Sequence, residues 1–501
     1  MGNLGRAPNS DLKTVSIKAI SAITFQSLCI GCTSFDSNQP LLHSEVAPDL
    51  NLKLNLPEIR THEPIPQSLP SVTLSVKKFG AVGDGVTDDT QAIQTTIEAL
   101  KAKGGGTVLF PTGIYKVLIQ SQTSRSLTIY KNITLKGEGV QKSTIKLGDR
   151  QGNYQAILAG ASLSSDLSNF SLQNLNIDAN ATQNLIQFEE DFESNQDRFV
   201  LRIYVGRNIR VENCRFKNIK NINVLTLNND SEVSDILIQN NRFDEIGGGS
   251  FDHDHSTLYI HGKRSMIANN TFVSTHGPGT YGARAAIEIH GDEHQVLNNK
   301  ISGYTYGINA TGVASRSKNQ RIEHNTITGA HTGILIWSFL AEKQQSVFGL
   351  ENLIIHQNQI DLDVMGWRKL WGDSPNQGIA LEPNSNASIQ GLTISHNKIE
   401  FHNFKDMGRR TDNLAAGLVL WRYKTPNVSS KQITIAHNEI RNPLASGLYI
   451  AMPIQQLKIA KNTIFNVGQG QYPFHPHYRS GLVVGVNTVS MQIAQNQFVD
   501  T

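Results

Sequence analysis

A short apolar phrase closing on asparagine and one further apolar side chain recurs down the second half of this chain. It reads ILIQNNRF to Phe243, MIANNTF to Phe272, QVLNNKI to Ile301 and RIEHNTI to Ile327. It continues as LIIHQNQI to Ile360, LTISHNKI to Ile399, ITIAHNEI to Ile440, LKIAKNTI to Ile464 and MQIAQNQF to Phe498. The shared residue is Asn241, Asn270, Asn299, Asn325, Asn358, Asn397, Asn438, Asn462 and Asn496. Alternation of the I-x-I kind is a strand pattern, and a unit this short cannot bury its own apolar side; it must stack on the next. An asparagine at the same corner of every coil can hydrogen-bond its counterparts above and below, satisfying buried polar groups along the stack. The expectation is an all-β chain folded as a single-stranded parallel β-helix.

Composition narrows the function more than the fold. With 17% charged residues and a net charge of +3, the chain has no basic excess that would argue for nucleic acid. Its cysteines are Cys29, Cys32 and Cys214. Cys214 stands in VENCRF at the ladder position, which reads as a buried packing thiol, and no disulfide framework follows.

The amino-terminal stretch has a different character. Arg6, Lys13 and Lys18 precede a mostly apolar run, Ala19–Ile30, too short to span a bilayer but ordered as an export signal. Its end, Leu28-Cys29-Ile30-Gly31-Cys32, resembles a bacterial lipoprotein box with Cys32 as the lipidated residue; an ordinary cleaved signal is the other reading. Residues 1–32 are therefore assigned to export. Residues 33–71, with Pro40, Pro48, Pro57, Pro64, Pro66 and Pro70 and little periodicity, are assigned to an extended tether. Both readings place the protein outside the cytoplasm, touching a membrane only through a lipid on Cys32.

The folded part, 72–501, opens with VKKFGAVGDGVTDDTQAIQTTIEALKAKGGGTVLFPTGIYKV. This is strand, Gly-rich turn, helix, glycine stop and strand: Asp88 with Gln91 can form a capping box, and Ile93, Ile97 and Leu100 share one helix face. A lone amphipathic helix ahead of a β-coil serves as a lid over the open end of the core. The segment resembles the opening of the pectate-lyase-like superfamily, which includes rhamnogalacturonases, phage tailspikes and alginate C5-epimerases. LKGEGVQKSTIKL and LQNLNIDAN resemble the coils that follow in alginate epimerases. The close resemblance covers 72–180; 181–501 resembles right-handed β-helix repeats in general. It implies a right-handed parallel β-helix with an N-terminal capping α-helix, and a carbohydrate-active protein with a polysaccharide partner.

A second strand in each coil, of the form G-I-x-I-x, supplies the surface where a sugar chain would lie. Members include TLYIH (257–261), AIEIH (286–290), GINAT (307–311), GILIW (333–337), GIALE (378–382), GLVLW (417–421) and GLYIA (447–451). Alternation turns the I, L and V positions inward. Facing out are Tyr259, His261, Glu288, His290, Asn309, Thr311, Trp337, Glu382, Trp421 and Tyr449. Coils about 4.8 Å apart would bring Tyr259, His261, Glu288 and His290 into one patch, with aromatic and acidic groups suited to sugar rings beyond it. Long insertions follow Asn241, Asn270, Asn358, Asn397 and Asn462, and rim one edge of this face. They hold Asp252, His255, Arg284 and MGWRKLW, groups suited to the wall of a cleft for an anionic glycan.

Proton abstraction at C5 of a uronate needs a group that neutralises the carboxylate, a base, and an acid for the leaving oxygen or the opposite ring face. His261 or His290 is a candidate base, Tyr259 an acid or second base, and Arg284 the neutraliser. Glu288-x-His290 resembles the outward Asp-x-His of alginate epimerases, and FDHDH resembles their F-D-P-H phrase without its proline. The family's tyrosine ahead of the strand is Ala285 here. Asp252, His255, Asn309, Trp337, Glu382, Trp421 and Tyr449 are taken as substrate-binding.

A glycoside hydrolase is the rival reading, with Glu288 and one of Asp252, Asp254, Asp292 or Glu382 as its carboxylates. The polygalacturonase phrases do not occur here in their usual order. A non-catalytic glycan-binding surface is the third. No cofactor or metal ligand set is assigned: Asp252-His253-Asp254-His255 reads first as a solvated loop and second as a metal site, and calcium bridging a substrate carboxylate stays open as the alternative, although Asp361-x-Asp363 is too common a pattern to support it. His324, His396 and His437, each just before a ladder asparagine, should stack at a solvated corner. The last ladder strand lies directly before Thr501, so the final coil calls for a cover or for self-association.

Overall fold

The computed structural model describes residues 28–30, 72–152, 154–184, 199–219, 223–229, 232–244, 256–274, 285–311, 317–338, 349–367, 375–383, 388–404, 414–421, 430–470, 479–484 and 489–500. The chain winds as a parallel β-helix with three faces. One is a 14-stranded sheet; the other two are hydrogen-bonded as a single 27-stranded sheet, because Ser256–Ala268 runs unbroken through the corner between them. The groove face runs from Arg125–Thr128 through Phe199–Ile203, Ser256–His261 and Ala285–His290 to Leu482–Val484. The ladder face carries the I-x-I half of each repeat, from Thr73–Ser75 to Val489–Ala494. Leu28–Ile30 also pairs, antiparallel, with Leu482–Val484.

The asparagine ladder explains how each coil turns from the ladder face into the third. The residue before every ladder asparagine has a left-handed backbone: φ is 56° at Asn240, 52° at Gln357, 57° at His396 and 56° at Lys461. That conformation costs a non-glycine residue of order 1 kcal/mol or more. The ladder offsets it. Asn358 donates from Nδ2 to the Ile322 carbonyl (2.8 Å) and to Oδ1 of Asn397 (3.0 Å), and its own Oδ1 accepts from the backbone N–H and Nδ2 of Asn325 (3.0 Å each). The same pattern runs from Asn241 to Asn496. Cys214 sits at the foot of the column, buried, with its backbone N–H donating to Oδ1 of Asn241. Its thiol is pushed up to about 12 by desolvation, so it is a packing group.

The histidines at this corner do pack ring against ring. His396 and His437 lie 4.6 Å apart at 11°, and His356 joins the row from one position earlier, because Gln357 takes the left-handed site in that coil. Inside, Phe216, Phe243 and Phe272 stack at 4.8 and 4.7 Å, the spacing of adjacent strands.

Glycine introduces the later groove strands because the third-face isoleucines press on it. A Cβ at Gly378 would fall 2.5 Å from Cγ2 of Ile399 and 2.3 Å from the Gly417 carbonyl oxygen. Gly378→Ala is therefore expected to cost about 1–3 kcal/mol by overpacking, read as a lower midpoint of denaturant unfolding.

Helix α1, Thr90–Lys101, closes the amino-terminal end with Ile93, Ile97 and Leu100 fully buried. Gln94 on α1 donates to the Thr128 carbonyl and accepts from the Thr128 N–H, completing the edge of the first groove strand. The helix start differs from the expected capping box. Asp89 is the N-cap residue, Asp88 accepts from the Thr90 N–H, and Gln91 pairs with Thr95 instead of reaching back. The reason is that the Asp89 carboxylate is committed to the glycine-rich turn, accepting from the Val82 and Gly83 N–H groups. At the other end of the stack Val489 and Met491 are exposed on the last ladder strand. Among the described residues no helix is long and apolar enough to cross a membrane.

Candidate functional site

Strand register sets two outward columns side by side on the groove face. Tyr259 lies opposite Glu288, which lies opposite Asn309; His261 lies opposite His290, then Thr311, Trp337 and Glu382. Neighbouring coils and alternate positions along a strand thus assemble Tyr259, His261, Glu288 and His290 as one patch, the consequence of two adjacent strands keeping the same phase.

Burial divides the patch. Tyr259 and His261 are half-buried, whereas Glu288 and His290 are 5% and 2% exposed. The buried pair is held by a continuous hydrogen-bonded chain. Glu288 accepts from the Ser256 hydroxyl on one oxygen and meets Nε2 of His290 at 2.8 Å on the other. Nδ1 of His290 is 2.7 Å from the Thr311 hydroxyl. With Nε2–H donating to the carboxylate, the Thr311 hydroxyl can donate to Nδ1, and the two contacts together orient the ring. With both nitrogens engaged, His290 is the orienting member, and His261, its ring 5.2 Å away, is the imidazole nearer solvent. The Tyr259 ring lies 4.9 Å from that of His290.

Beneath the patch His294 is completely buried, with Nδ1 2.7 Å from the Ser265 hydroxyl and Nε2 2.5 Å from the His290 carbonyl. Burial pushes it down to about 4, with His290 and His261 adding to the effect. Its ordinary value in the unfolded chain is near 6.5, so only the unfolded state takes up this proton between pH 6.5 and 4. The stability His294 contributes is present above pH 6.5 and lost as pH falls through that window. The loss expected by pH 4 is roughly 3 kcal/mol. Chemical denaturation of wild type and His294→Gln along that pH range checks it: the variant should show the shallower pH slope.

The other predicted residues distribute unevenly. Asn309 joins the patch, and its buried Oδ1 has no hydrogen-bond partner among the described residues. Trp337 is 39% exposed beyond Thr311. Glu382 lies on the same column three coils from His290, about 14 Å at the usual strand spacing. Trp421 and Tyr449 do not form an open aromatic shelf. Tyr449 is 8% exposed in a small apolar cluster on the outside of the coil with Ala380, Val419 and Val483, against which Trp421 and Leu335 pack. Outward positions in these coils are apolar, and so the face covers itself there. Trp367, placed by sequence on the cleft wall, is fully buried and donates Nε1–H to the Gly329 carbonyl.

Arg284, Asp252, His255 and Cys32 lie outside the described residues, as do Asp254 and most of the long insertions. Asp292 sits at the corner toward the ladder face, accepting from Lys318, away from the patch. Asp361 Oδ1 lies 3.3 Å from Nε2 of His402 on the third face, and among the described residues no cluster of three or more His, Cys, Asp or Glu could hold a metal ion. Ser256 and Thr311 carry the hydrogen bonds of the patch; sequence placed Thr311 on the outward column without giving it a role and did not single out Ser256. Ser256 opens the strand of Tyr259 and Thr311 continues the His290 column, so the strand register was the available signal.

This architecture defines a right-handed parallel β-helix protein. Residues 73–309 match the family model described as rhamnogalacturonase A/epimerase, pectate lyase-like, and residues 285–500 match the right-handed β-helix region model. The chain thus carries a pectate-lyase-like region followed by, and overlapping, a right-handed β-helix region. By sequence it is 40% identical over 107 residues to mannuronan C5-epimerase AlgE6 of Azotobacter vinelandii, covering 21% of this chain and 12% of that protein. It is 33% identical over 135 residues to alginate lyase 7 of the same organism, covering 27% of this chain and 15% of that one. The chain thus spans only a small part of the curated relatives it matches. The AlgE6 A-module structure aligns over 85% of this chain and 99% of its own, with a TM-score of 0.51 at 16% identity. The tailspike of E. coli bacteriophage HK620, solved with a hexasaccharide, aligns over 79% and 78%, with a TM-score of 0.52 at 15% identity. At such identities these structures share the fold.

Proposed function

We propose that this protein acts on a polyuronate by abstraction of the C5 proton, as a lyase or an epimerase. The observation that carries the reading is the composite patch: half-buried Tyr259 and His261 beside a buried Glu288–His290 pair tied to Ser256 and Thr311. A structural spacer has no use for a buried carboxylate–imidazole pair on its outer face, since burying such groups costs free energy unless they are held and paired. Relatives named for mannuronan epimerisation and alginate lysis support a uronate as the substrate class.

In this reading His261 takes the C5 proton and Arg284, one residue before the Ala285 strand, neutralises the substrate carboxylate so that the carbanion is stabilised as an enolate. In a lyase the electron pair then forms the C4–C5 double bond, the C4–O bond breaks, and Tyr259 protonates the leaving oxygen. In an epimerase Tyr259 returns a proton to C5 from the opposite face and no bond to oxygen breaks. Glu288 and His290 hold the imidazole side of the patch in register. Asn309, opposite Glu288 with its Oδ1 buried, forms part of the floor on which the sugar would lie. Hydrolysis through Glu288 and Glu382 is disfavoured, because three coil steps and two residues along the strand separate them by about 16 Å, beyond the roughly 5–9.5 Å that paired carboxylates span in glycosidases.

Export belongs to the same proposal: residues 1–32 direct the chain out of the cytoplasm, and lipid on Cys32 would tether it through residues 33–71. Mass spectrometry of the mature amino terminus tests this, with an unmodified terminus beyond Cys32 rejecting the anchor. For the reaction, ultraviolet absorbance and reducing ends are followed on a panel of polyuronates, together with deuterium uptake at C5 from heavy water. Unsaturated ends identify a lyase, and deuterium without new ends an epimerase. Reducing ends without unsaturation would replace the proposal with a hydrolase.

A further inference from the structure

Two to four coils below Tyr259 the groove face holds a recess of about 150 Å³ lined by Arg125, Arg202, Tyr204, Ser162 and Ser165 among others. Arg202 lies on the column of Tyr259 and Glu288: it stands opposite Thr226, which stands opposite Tyr259. Its inward neighbours Leu201 and Ile203 are fully buried, so alternation sends Arg202 to the groove side. The guanidinium carbon lies 5.2 Å from the Phe199 ring centre and 4.9 Å from that of Tyr204, and Nη2 is 3.4 Å from the Tyr204 hydroxyl. Two aromatic faces restrict where that planar group can go, so little further ordering is needed for it to meet a ligand.

Arg125 lines the same recess. Burial pulls it below its ordinary range, and the charge of Arg202 pulls it further. Two guanidiniums and serine hydroxyls line one recess, and a carboxylate matches the guanidinium fork. We infer that the Arg125–Arg202 recess is a subsite for the carboxylate of a uronate residue several units along the glycan from the one that reacts at Tyr259 and His261. The inference rests on the proposed polyuronate reading and adds to it a direction: the bound chain runs along the groove from the reacting patch toward the helix-capped end. Arg202 lies two coil steps, about 10 Å, from Tyr259, so only an oligomer long enough to cover that distance engages both the reacting patch and the recess.

Calorimetric titration of the full chain carrying His261→Gln, which stops the ligand being consumed, tests this. The probes are oligouronates from disaccharide to octasaccharide and neutral gluco-oligosaccharides of the same lengths. The expected result is a step in affinity of roughly ten- to a hundredfold once the oligouronate reaches the recess, with no such step for the neutral series. Adding Arg125→Gln and Arg202→Gln should remove the step and leave binding of the short oligouronates unchanged. Arg125→Gln alone, a milder change whose Nε donates to the Thr123 carbonyl, should remove part of it, and unfolding midpoints verify that each variant is folded. A step that survives the arginine changes in folded protein, or that neutral glycans share, overturns the subsite while leaving the proposed reaction standing. If no oligouronate of any length binds, the polyuronate reading itself falls, and the subsite with it.

Discussion

Replacing His261 by glutamine is expected to lower turnover on the responsive polyuronate by about three orders of magnitude, the range for removing a positioned general base. Its half-buried place on the groove face means the fold should survive, so the unfolding midpoint should stay near that of wild type. Glu288→Gln supplies the contrast. The amide is nearly isosteric and its oxygen can still accept from Ser256 or from Nε2 of His290, but the negative charge is gone. An amide that donates to Nε2 would reverse the His290 tautomer and turn its other nitrogen into a donor against Thr311. Glu288 is a positioning residue in this account, so its loss should reduce kcat and displace the pH–rate profile without a matching change in KM. Full activity in His261→Gln would reject the base assignment. An unchanged pH profile in Glu288→Gln would reduce the buried pair to a structural role.

The fold was legible because its determinants are local and repeated. The strand phase around Asn241 to Asn496, the glycine before each later groove strand from Gly307 onward and the amphipathic face of α1 are each set within a few residues, and stacking copies them along the chain. The patch was half legible for the same reason: alternation alone brought Tyr259, His261, Glu288 and His290 to one face. Pattern could not tell which outward residues would be covered. The groove column turns from Thr226, Tyr259 and Glu288 to Leu335, Ala380 and Val419, and outside the coil those apolar groups collect Tyr449 and Trp421 into a cluster of their own. Nor does period reveal that His290 has both nitrogens engaged, since its partners Glu288 and Thr311 sit on different coils. Arg125 and Arg202 were passed over because they precede the repeats in which the groove strand is regular, and only register links them to Tyr259.

The ladder makes the sharpest statement about stability. Asn358→Ala would remove the acceptor of the Asn325 backbone N–H and of one Asn325 side-chain hydrogen, and leave the Ile322 carbonyl without its side-chain donor. These groups are buried and water cannot replace the amide without opening the corner. At about 1–3 kcal/mol for each buried group left unsatisfied, the substitution is expected to cost roughly 3–5 kcal/mol. The neighbouring left-handed residue adds to this, because Gln357 is held at a φ of 52° by a turn that the ladder amide fixes. Asn358→Asp should be nearly as damaging, since a carboxylate keeps both acceptor roles but cannot donate to Ile322 or Asn397. Because each coil rests only on its neighbours, the damage should be local first: hydrogen exchange ought to rise in the coils holding Asn325 and Asn397 before it rises at α1. Equal loss of protection at both ends of the stack would mean that the coils unfold as one cooperative unit and that the ladder is not divided into neighbour-to-neighbour contributions.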